Sequence, residues 1–192
     1  MYRRGFKTWC ETVATQKRKS LKLAAHAPLC PRKIALQMGV MIITPDRIAG
    51  LKPETLPRLL VEDPSSWSAV TVAEDGFHVV IVNSQHSPGR QSSDLMHELA
   101  HLIIGHEPSW ASETDGGVMI LSSFDRNKED EANWLCGSLL LPREALLHIR
   151  RRKVPDVEAC ETYGCSQDML TYRFRVTGVD VQMNRSKAFA RK

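Results

Sequence analysis

The sequence lacks several features that would assign it to a special class of protein. No apolar run reaches the roughly 20 residues that a membrane-spanning helix needs. The basic start MYRRGFKTWCETVATQKRK is not followed by an apolar stretch, so no secretory signal is predicted. The cysteines number five, and none stands in a C-x-x-C pair, which predicts reduced thiols and no disulfide framework: Cys10, Cys30, Cys136, Cys160 and Cys165. These absences together predict a protein of the cytoplasm.

Charge and composition are ordinary for a globular protein. Hydrophobic residues make up 42% and charged residues 25% of the 192 residues, which suits one domain with a sizeable core and a small appendage. The net charge of +4 is too weak to indicate nucleic-acid binding, because the basic excess sits in short clusters at residues 17–19, 150–153 and 185–192. Such clusters are typical of solvated helix faces and chain ends. The sequence shows no internal repeat and no low-complexity tract.

Hydrophobic periodicity predicts an α+β fold. Residues 5–25 have helical spacing, and Pro31 and Gly39 suit the first turn and the C-cap of a second helix. Two β-branched runs flank Asp75 and Gly76, a favoured residue pair for a hairpin turn. We therefore expect a small antiparallel sheet packed against helices.

One segment, DLMHELAHLIIGH at residues 94–106, carries costly polar groups inside an otherwise apolar run. On an α-helix, residues four apart lie one turn above each other, so His97 and His101 can point both imidazoles at one ion. Glu98 is rotated by about 100° from His97 and can reach a water beside that ion without being a ligand. This H-E-x-x-H spacing is the metalloprotease signature, in which the glutamate is the general base.

The alternative is an amphipathic helix whose polar edge happens to carry these three side chains. Apolar residues surround the trio over much of the helix, which predicts that it is partly buried: Met96, Leu99, Ala100, Leu102, Ile103 and Ile104. An ionisable group that is buried without a partner costs several kcal/mol, and a divalent cation supplies that partner. The sequence therefore favours a metal site over a polar helix edge.

A catalytic zinc site normally takes three protein ligands, so a third ligand is expected from another element. The segment NKEDEANWLCGSLLLP, residues 127–142, predicts a helix with several carboxylates near its start. Glu131 shares a helix face with Leu135, and we favour it as the third ligand, with Glu129 and Asp130 as competitors. Without the histidines, these carboxylates would be ordinary first-turn acids that the helix dipole favours.

The two segments together resemble the ImmA/IrrE family of metallo-endopeptidases. The family pattern is H-E-x-x-H and then a helix reading roughly E-x-E-A-x-x-F-A-x-x-L-L-x-P; here HELAHLIIGH is followed by EDEANWLCGSLLLP. The resemblance implies that His97, His101 and Glu131 hold Zn²⁺, with Mn²⁺ as an alternative, and that Glu98 is the catalytic base. It also implies a protein substrate, such as a helix-turn-helix repressor of a mobile element or stress response.

The resemblance further implies a zincin-like minimal metallopeptidase core. We predict a metallopeptidase domain at residues 1–145, a helical C-terminal extension at residues 146–183 and a basic tail at residues 184–192. No contact with a membrane is expected.

Several other side chains are candidates for supporting roles. A donor to the oxyanion of the reaction is expected, and the candidates are His86, Arg90, His106 and Tyr163. Ser92 or Ser93 is predicted to cap the motif helix, and a capping role is also favoured for Asp94. The strand HVVIVN, residues 78–83, is predicted to be a sheet edge to which a substrate peptide adds as a further strand.

Two other classes of protein stay open. Residues 158–174 have the letters of a DNA-binding helix-turn-helix, with Gly164 in the turn and Ser166 as a cap, but Arg173 stands where that motif has an apolar residue. An αα-corner explains the same letters, so direct nucleic-acid binding is not favoured. The other class is a sensor or toxin–antitoxin component with a closed, non-catalytic metal site, in which His106 would be a fourth ligand.

Overall fold

The computed structural model describes residues 2–74, 77–107, 111–113, 119–121 and 125–189. The chain forms two compact units, one of Cys30–Asn133 and one of Tyr2–Leu29 with Trp134–Lys192. No helix within the described ranges is both long enough and apolar enough to span a bilayer.

The helices and strands follow one another along the chain as α1 (Phe6–Ser20), α2 (Pro31–Met38), β1 (Met41–Ile43), α3 (Thr55–Pro57), β2 (Ala69–Glu74), β3 (Phe77–Val82), α4 (Pro88–Ile104), β4 (Ala111–Glu113), β5 (Met119–Leu121), α5 (Arg126–Leu140), α6 (Arg143–Arg152), α7 (Asp156–Tyr163), α8 (Gln167–Thr177) and α9 (Val179–Phe189). A 3₁₀ turn at Pro45–Arg47 and a π-helical turn at Arg58–Glu62 lie between β1 and β2. Strands β4 and β5 pair antiparallel with each other.

The first unit contains a three-stranded sheet in the order β1–β3–β2. Strands β2 and β3 pair antiparallel up to Glu74 opposite Phe77, which confirms the predicted hairpin; its predicted turn residues, 75 and 76, lie outside the described residues. Strand β1 runs parallel to β3. The α+β fold is therefore confirmed, but the sheet is mixed and not wholly antiparallel as predicted. The long connection that follows β1 permits a parallel neighbour, because it lets the chain cross back before the hairpin begins.

The strand order corrects the prediction about the edge of the sheet. HVVIVN belongs mostly to β3, which lies in the centre between β1 and β2 and is therefore not an edge strand. Helix α4 packs against α2, β2 and β3, so the edge strand beside α4 is β2. Alternating hydrophobicity identifies strands but contains no information about their lateral order, which is why the sequence did not predict this.

Helix α4 is anchored by a fully apolar face. Its residues Leu95, Met96, Leu99 and Ala100 are at most 2% exposed, and Val80 and Val82 of β3 are buried to the same degree. Burial of a large apolar side chain contributes about 1.5–3 kcal/mol. The buried apolar face therefore fixes the orientation of α4 on the sheet, and with it the position of the polar side chains on the opposite face.

The start of α4 differs from the prediction. The helix begins at Pro88, and the hydroxyl of Ser87 accepts a hydrogen bond from the Arg90 amide at 3.4 Å, so Ser87 is the N-cap and not Ser92 or Ser93. Proline suits a first helical turn because its missing N–H has no intrahelical partner there. Asp94 consequently lies in the second turn and is not a cap.

The second unit is helical, and its helices α7 and α8 form the segment that resembles a helix-turn-helix. Helix α7 ends at Gly164, which has a φ of 60°, and α8 begins after Ser166, whose hydroxyl caps the Met169 amide. Arg173 is completely buried; its guanidinium donates to Glu11 at 2.5 Å and to the Leu141 carbonyl at 3.0 Å. Arg173 is therefore not available to contact DNA, and its burial favours the αα-corner over a DNA-binding motif.

Candidate metal centre

His97 and His101 lie one turn apart on α4, as their spacing predicts. Their Nε2 atoms are 3.0 Å apart, and the two side chains are only 22% and 18% exposed. The apolar face of α4 fixes the direction of both rings. The two imidazoles therefore converge on a single point at the edge of the core.

The carboxylate that reaches this point belongs to Glu129 of α5. Its Oε2 lies 3.1 Å from His97 Nε2, and its Oε1 lies 3.4 Å from His101 Nε2. The three side chains each offer a ligand atom within 4.8 Å of the others, so the group could hold a metal ion.

The predicted third ligand, Glu131, is not part of this group. Its Oε2 lies 3.2 Å from His106 Nε2. The sequence favoured Glu131 because it shares a face with Leu135, but α5 is buried on every side from Trp134 to Leu140. Apolar periodicity along such a helix does not identify the face that meets the histidines, and the competitor Glu129 occupies that position.

The separations between the ligand atoms suit zinc. Ligand atoms about 2.0–2.1 Å from a tetrahedral ion are about 3.3 Å apart, and a set of two histidines and one glutamate occurs in catalytic zinc sites. The three separations measured here are 3.0, 3.1 and 3.4 Å. The residues of this structure therefore fit a zinc ion without a large rearrangement.

The ionisation of the cluster follows from burial and from its own charges. Burial disfavours a charge on His97, but the hydrogen bond to Glu129 and the carboxylate of Glu98 outweigh burial and raise the pKa of His97. Burial, with repulsion from His97, lowers the pKa of His101 to about 4. The hydrogen bond from His97 lowers the pKa of Glu129. A cation at this point would compete with a proton for His97 Nε2.

Glu98 is positioned by a residue that the sequence did not single out. Thr71 of β2 is 5% exposed, and its hydroxyl donates a hydrogen bond of 2.5 Å to Glu98 Oε2. Burial raises the pKa of Glu98, although the bond from Thr71 acts in the opposite direction. Thr71 lies opposite Val80 in the sheet. Threonine is common in β-strands, so the strand sequence AVTVAE gave no signal that Thr71 contacts the site.

A comparison with family models assigns the chain to a protein family. The model described as the IrrE N-terminal-like domain, peptidase M78, matches residues 57–175, which is more than half of the chain. The chain belongs to this peptidase family. The match confirms the resemblance to ImmA/IrrE proteins and supports a peptidase activity on a protein substrate. Comparisons with curated proteins and with solved structures found no match.

The family match continues beyond residue 145, where the sequence predicted the end of the metallopeptidase domain. The predicted division into residues 1–145, 146–183 and 184–192 stays a prediction.

Most of the predicted oxyanion donors of this M78 peptidase have other partners. His86 Nδ1 lies 2.8 Å from Asp94 Oδ2, so Asp94 pairs with His86 instead of capping α4. Arg90 donates to the Ser68 hydroxyl. Tyr163 belongs to the second unit, where its hydroxyl donates to the His26 carbonyl. Of these candidates, none contacts the three metal-site side chains within the described residues.

His106, the fourth candidate donor, does lie beside the cluster. Its Nδ1 is 3.0 Å from His101 Nδ1, the ring nitrogen that faces away from His97. A closed site with His106 as the fourth ligand would need its nitrogen on the Nε2 side of His101. The observed contact places His106 on the opposite side of the His101 ring from the three candidate ligand atoms.

Proposed function

We propose that this M78 peptidase is a zinc-dependent endopeptidase with His97, His101 and Glu129 as metal ligands and Glu98 as general base. The observation that carries the proposal is the convergence of the two Nε2 atoms and the Glu129 carboxylate within 3.4 Å of one another, beside a Glu98 carboxylate held by Thr71. Zn²⁺ is the preferred ion for this ligand set, with Mn²⁺ as the alternative.

Bound zinc would supply Lewis-acid polarisation of the scissile carbonyl. The proton transfers would be carried out by a side chain of the protein. Glu98 lies next to His97 in the chain but is not in the ligand group, so its carboxylate can take a proton from the attacking water and pass it to the leaving amine. Its raised pKa brings it closer to neutral pH, where both transfers are efficient.

The substrate is proposed to bind as an extended segment. Strand β2 is an edge of the sheet, and its Thr71 contacts the catalytic Glu98. A peptide that adds to the outer edge of β2 would run past the metal ligands, and its backbone would hydrogen-bond to the strand. This transfers the predicted strand-addition mode from β3 to β2.

The resemblance to ImmA/IrrE proteins supports a cytosolic regulatory protein as the substrate, for instance a helix-turn-helix repressor. Such a protein would be cleaved in an exposed or unfolded segment, because only an extended chain can pair with an edge strand. The neighbouring gene product is the first candidate to test.

Glu98→Gln tests the proposal. The amide keeps the size of the side chain but cannot accept the proton, so we expect zinc binding to be retained and cleavage of labelled casein, or of a helix-turn-helix protein that the wild type cleaves, to be lost. Glu107→Gln, at an exposed position, is the matched control and should cleave normally. Unchanged proteolysis by the Glu98→Gln protein would remove Glu98 from its role, and a wild-type protein that binds no zinc would refute the metal site.

A further inference from the structure

Behind the metal ligand His101 lies a chain of polar contacts that the proposed reaction does not use. His106 Nδ1 is 3.0 Å from His101 Nδ1, and His106 Nε2 is 3.2 Å from Glu131 Oε2. We propose that His106 and Glu131 are positioning residues that fix the tautomer and orientation of His101 for zinc. The inference rests on the proposed function, because it assigns His101 as a ligand.

The end of α4 brings His106 to this place. Gly105 has a φ of 85°, and the chain turns back so that the His106 amide donates to the His101 carbonyl at 3.0 Å. The Gly105 amide donates to the Leu102 carbonyl at 3.2 Å. These two bonds form a Schellman motif, which glycine favours because it adopts positive φ without strain. The letters GH after HLII therefore place the His106 ring against the His101 ring.

The direction of each hydrogen bond follows from the acceptor at the end of the chain. The Glu131 carboxylate can only accept, so His106 Nε2 carries the hydrogen. An imidazole with its hydrogen on Nε2 has a lone pair on Nδ1, so His106 Nδ1 accepts the hydrogen of His101 Nδ1. His101 is left with its lone pair on Nε2, the atom that lies 3.0 Å from His97 Nε2. The Glu129 carboxylate competes as an acceptor for His101 Nε2, but over 3.4 Å, a longer contact than the 3.0 Å between the two Nδ1 atoms. A metal ligand needs a lone pair at this atom.

Burial makes the arrangement specific. The His106 side chain is 8% exposed and that of Glu131 is 24% exposed, so water competes little for these bonds. Ligating histidines in metalloenzymes are generally oriented by an acceptor on the second ring nitrogen, and loss of that acceptor typically weakens metal affinity about ten- to a hundredfold. Here the acceptor for His101 is His106, and the Glu131 carboxylate acts on His101 through its hydrogen bond with His106.

The tautomer itself can be read without metal. Nitrogen-15 NMR of the zinc-free full-length protein should show His101 with its hydrogen on Nδ1, and His106→Ala should shift it toward a mixture of the two tautomers. A spectrum in which the His101 hydrogen is on Nε2 would overturn the proposal. This readout does not depend on peptidase activity.

Zinc affinity, measured by competition with a chromophoric chelator, gives the second readout. We expect Glu131→Gln and His106→Ala to weaken binding about ten- to a hundredfold, with Glu107→Gln, at an exposed neighbouring position, as the unaffected control. Unchanged affinity in both variants would refute the positioning role. A Glu131→Gln loss as complete as that of Glu129→Gln would instead make Glu131 a direct ligand, as the sequence predicted. If the wild type binds no zinc, the proposed function fails. The NMR result still tests whether His106 and Glu131 fix the tautomer of His101.

Discussion

Thr71→Val tests how the catalytic base is held. The substitution keeps the shape of the side chain and removes the hydroxyl that donates to Glu98 Oε2, a bond of 2.5 Å from a residue that is 5% exposed. A hydrogen bond to a charged group contributes about 1.5–3 kcal/mol, and each 1.36 kcal/mol in a barrier is tenfold in rate. We therefore expect kcat/KM to fall by about ten- to a hundredfold, with zinc affinity unchanged because Thr71 does not contact the ligand group.

The assay compares kcat/KM of the wild type, Thr71→Val and Thr71→Ser on one cleavable protein at saturating zinc. Serine keeps the hydroxyl, so Thr71→Ser should recover most of the lost activity. Thermal unfolding of each variant separates a misplaced base from a damaged sheet. Equal kcat/KM for the valine variant and the wild type would refute the reasoning, because Glu98 would then need no orientation from β2.

Two further predictions concern other parts of the molecule. Arg173→Met should lower the free energy of unfolding, measured with urea, because Glu11 loses its buried partner; breaking a buried pair costs about 3–5 kcal/mol, and the 31% exposure of the Glu11 side chain places the loss near the lower end. Adding Glu11→Gln should restore part of it, and a loss below about 1 kcal/mol would contradict the role assigned to this pair. Zinc binds only the neutral imidazole of His97, and the raised pKa of His97 keeps that ring protonated to a higher pH than usual. As the pH is lowered, zinc affinity should therefore begin to fall above the ordinary imidazole pKa of about 6.5. A zinc affinity that stays constant between about pH 8 and 6.5 would contradict the raised pKa of His97.

The parts of the molecule that the sequence predicted correctly are those decided by neighbouring residues. The four-residue spacing of His97 and His101 determines their relative direction on any helix, and the wide apolar surface of that helix predicts their partial burial. Gly39 does adopt the left-handed conformation at the end of α2, with a φ of 69°. The hairpin of β2 and β3 is equally local, since its two strands are adjacent in the chain.

The parts that the sequence did not predict depend on contacts between distant segments. Alternating β-branched residues do not reveal that β1 runs parallel to β3, nor that β2 is the strand beside Glu98. Thr71 is an ordinary strand residue until Glu98 lies within 2.5 Å of its hydroxyl. Arg173 is the opposite case: its misfit at an apolar position of the helix-turn-helix pattern could be seen in the sequence, and the structure shows that this side chain is buried.

Glu131, the predicted third ligand, and Glu129, whose carboxylate lies beside both histidines, are only two residues apart on α5. Two residues along an α-helix correspond to a rotation of about 200°, so these carboxylates leave α5 on nearly opposite sides. Both nevertheless act on the same imidazole: Glu129 lies 3.4 Å from His101 Nε2, and Glu131 reaches His101 Nδ1 through His106. A ring with two nitrogens on opposite edges connects them, and exchanging the roles of the two glutamates would require His101 to turn over. On the proposed assignment, the two carboxylates of one short motif would therefore have different functions, Glu129 as a ligand of the cation and Glu131 as the group that selects the nitrogen of His101 that binds it.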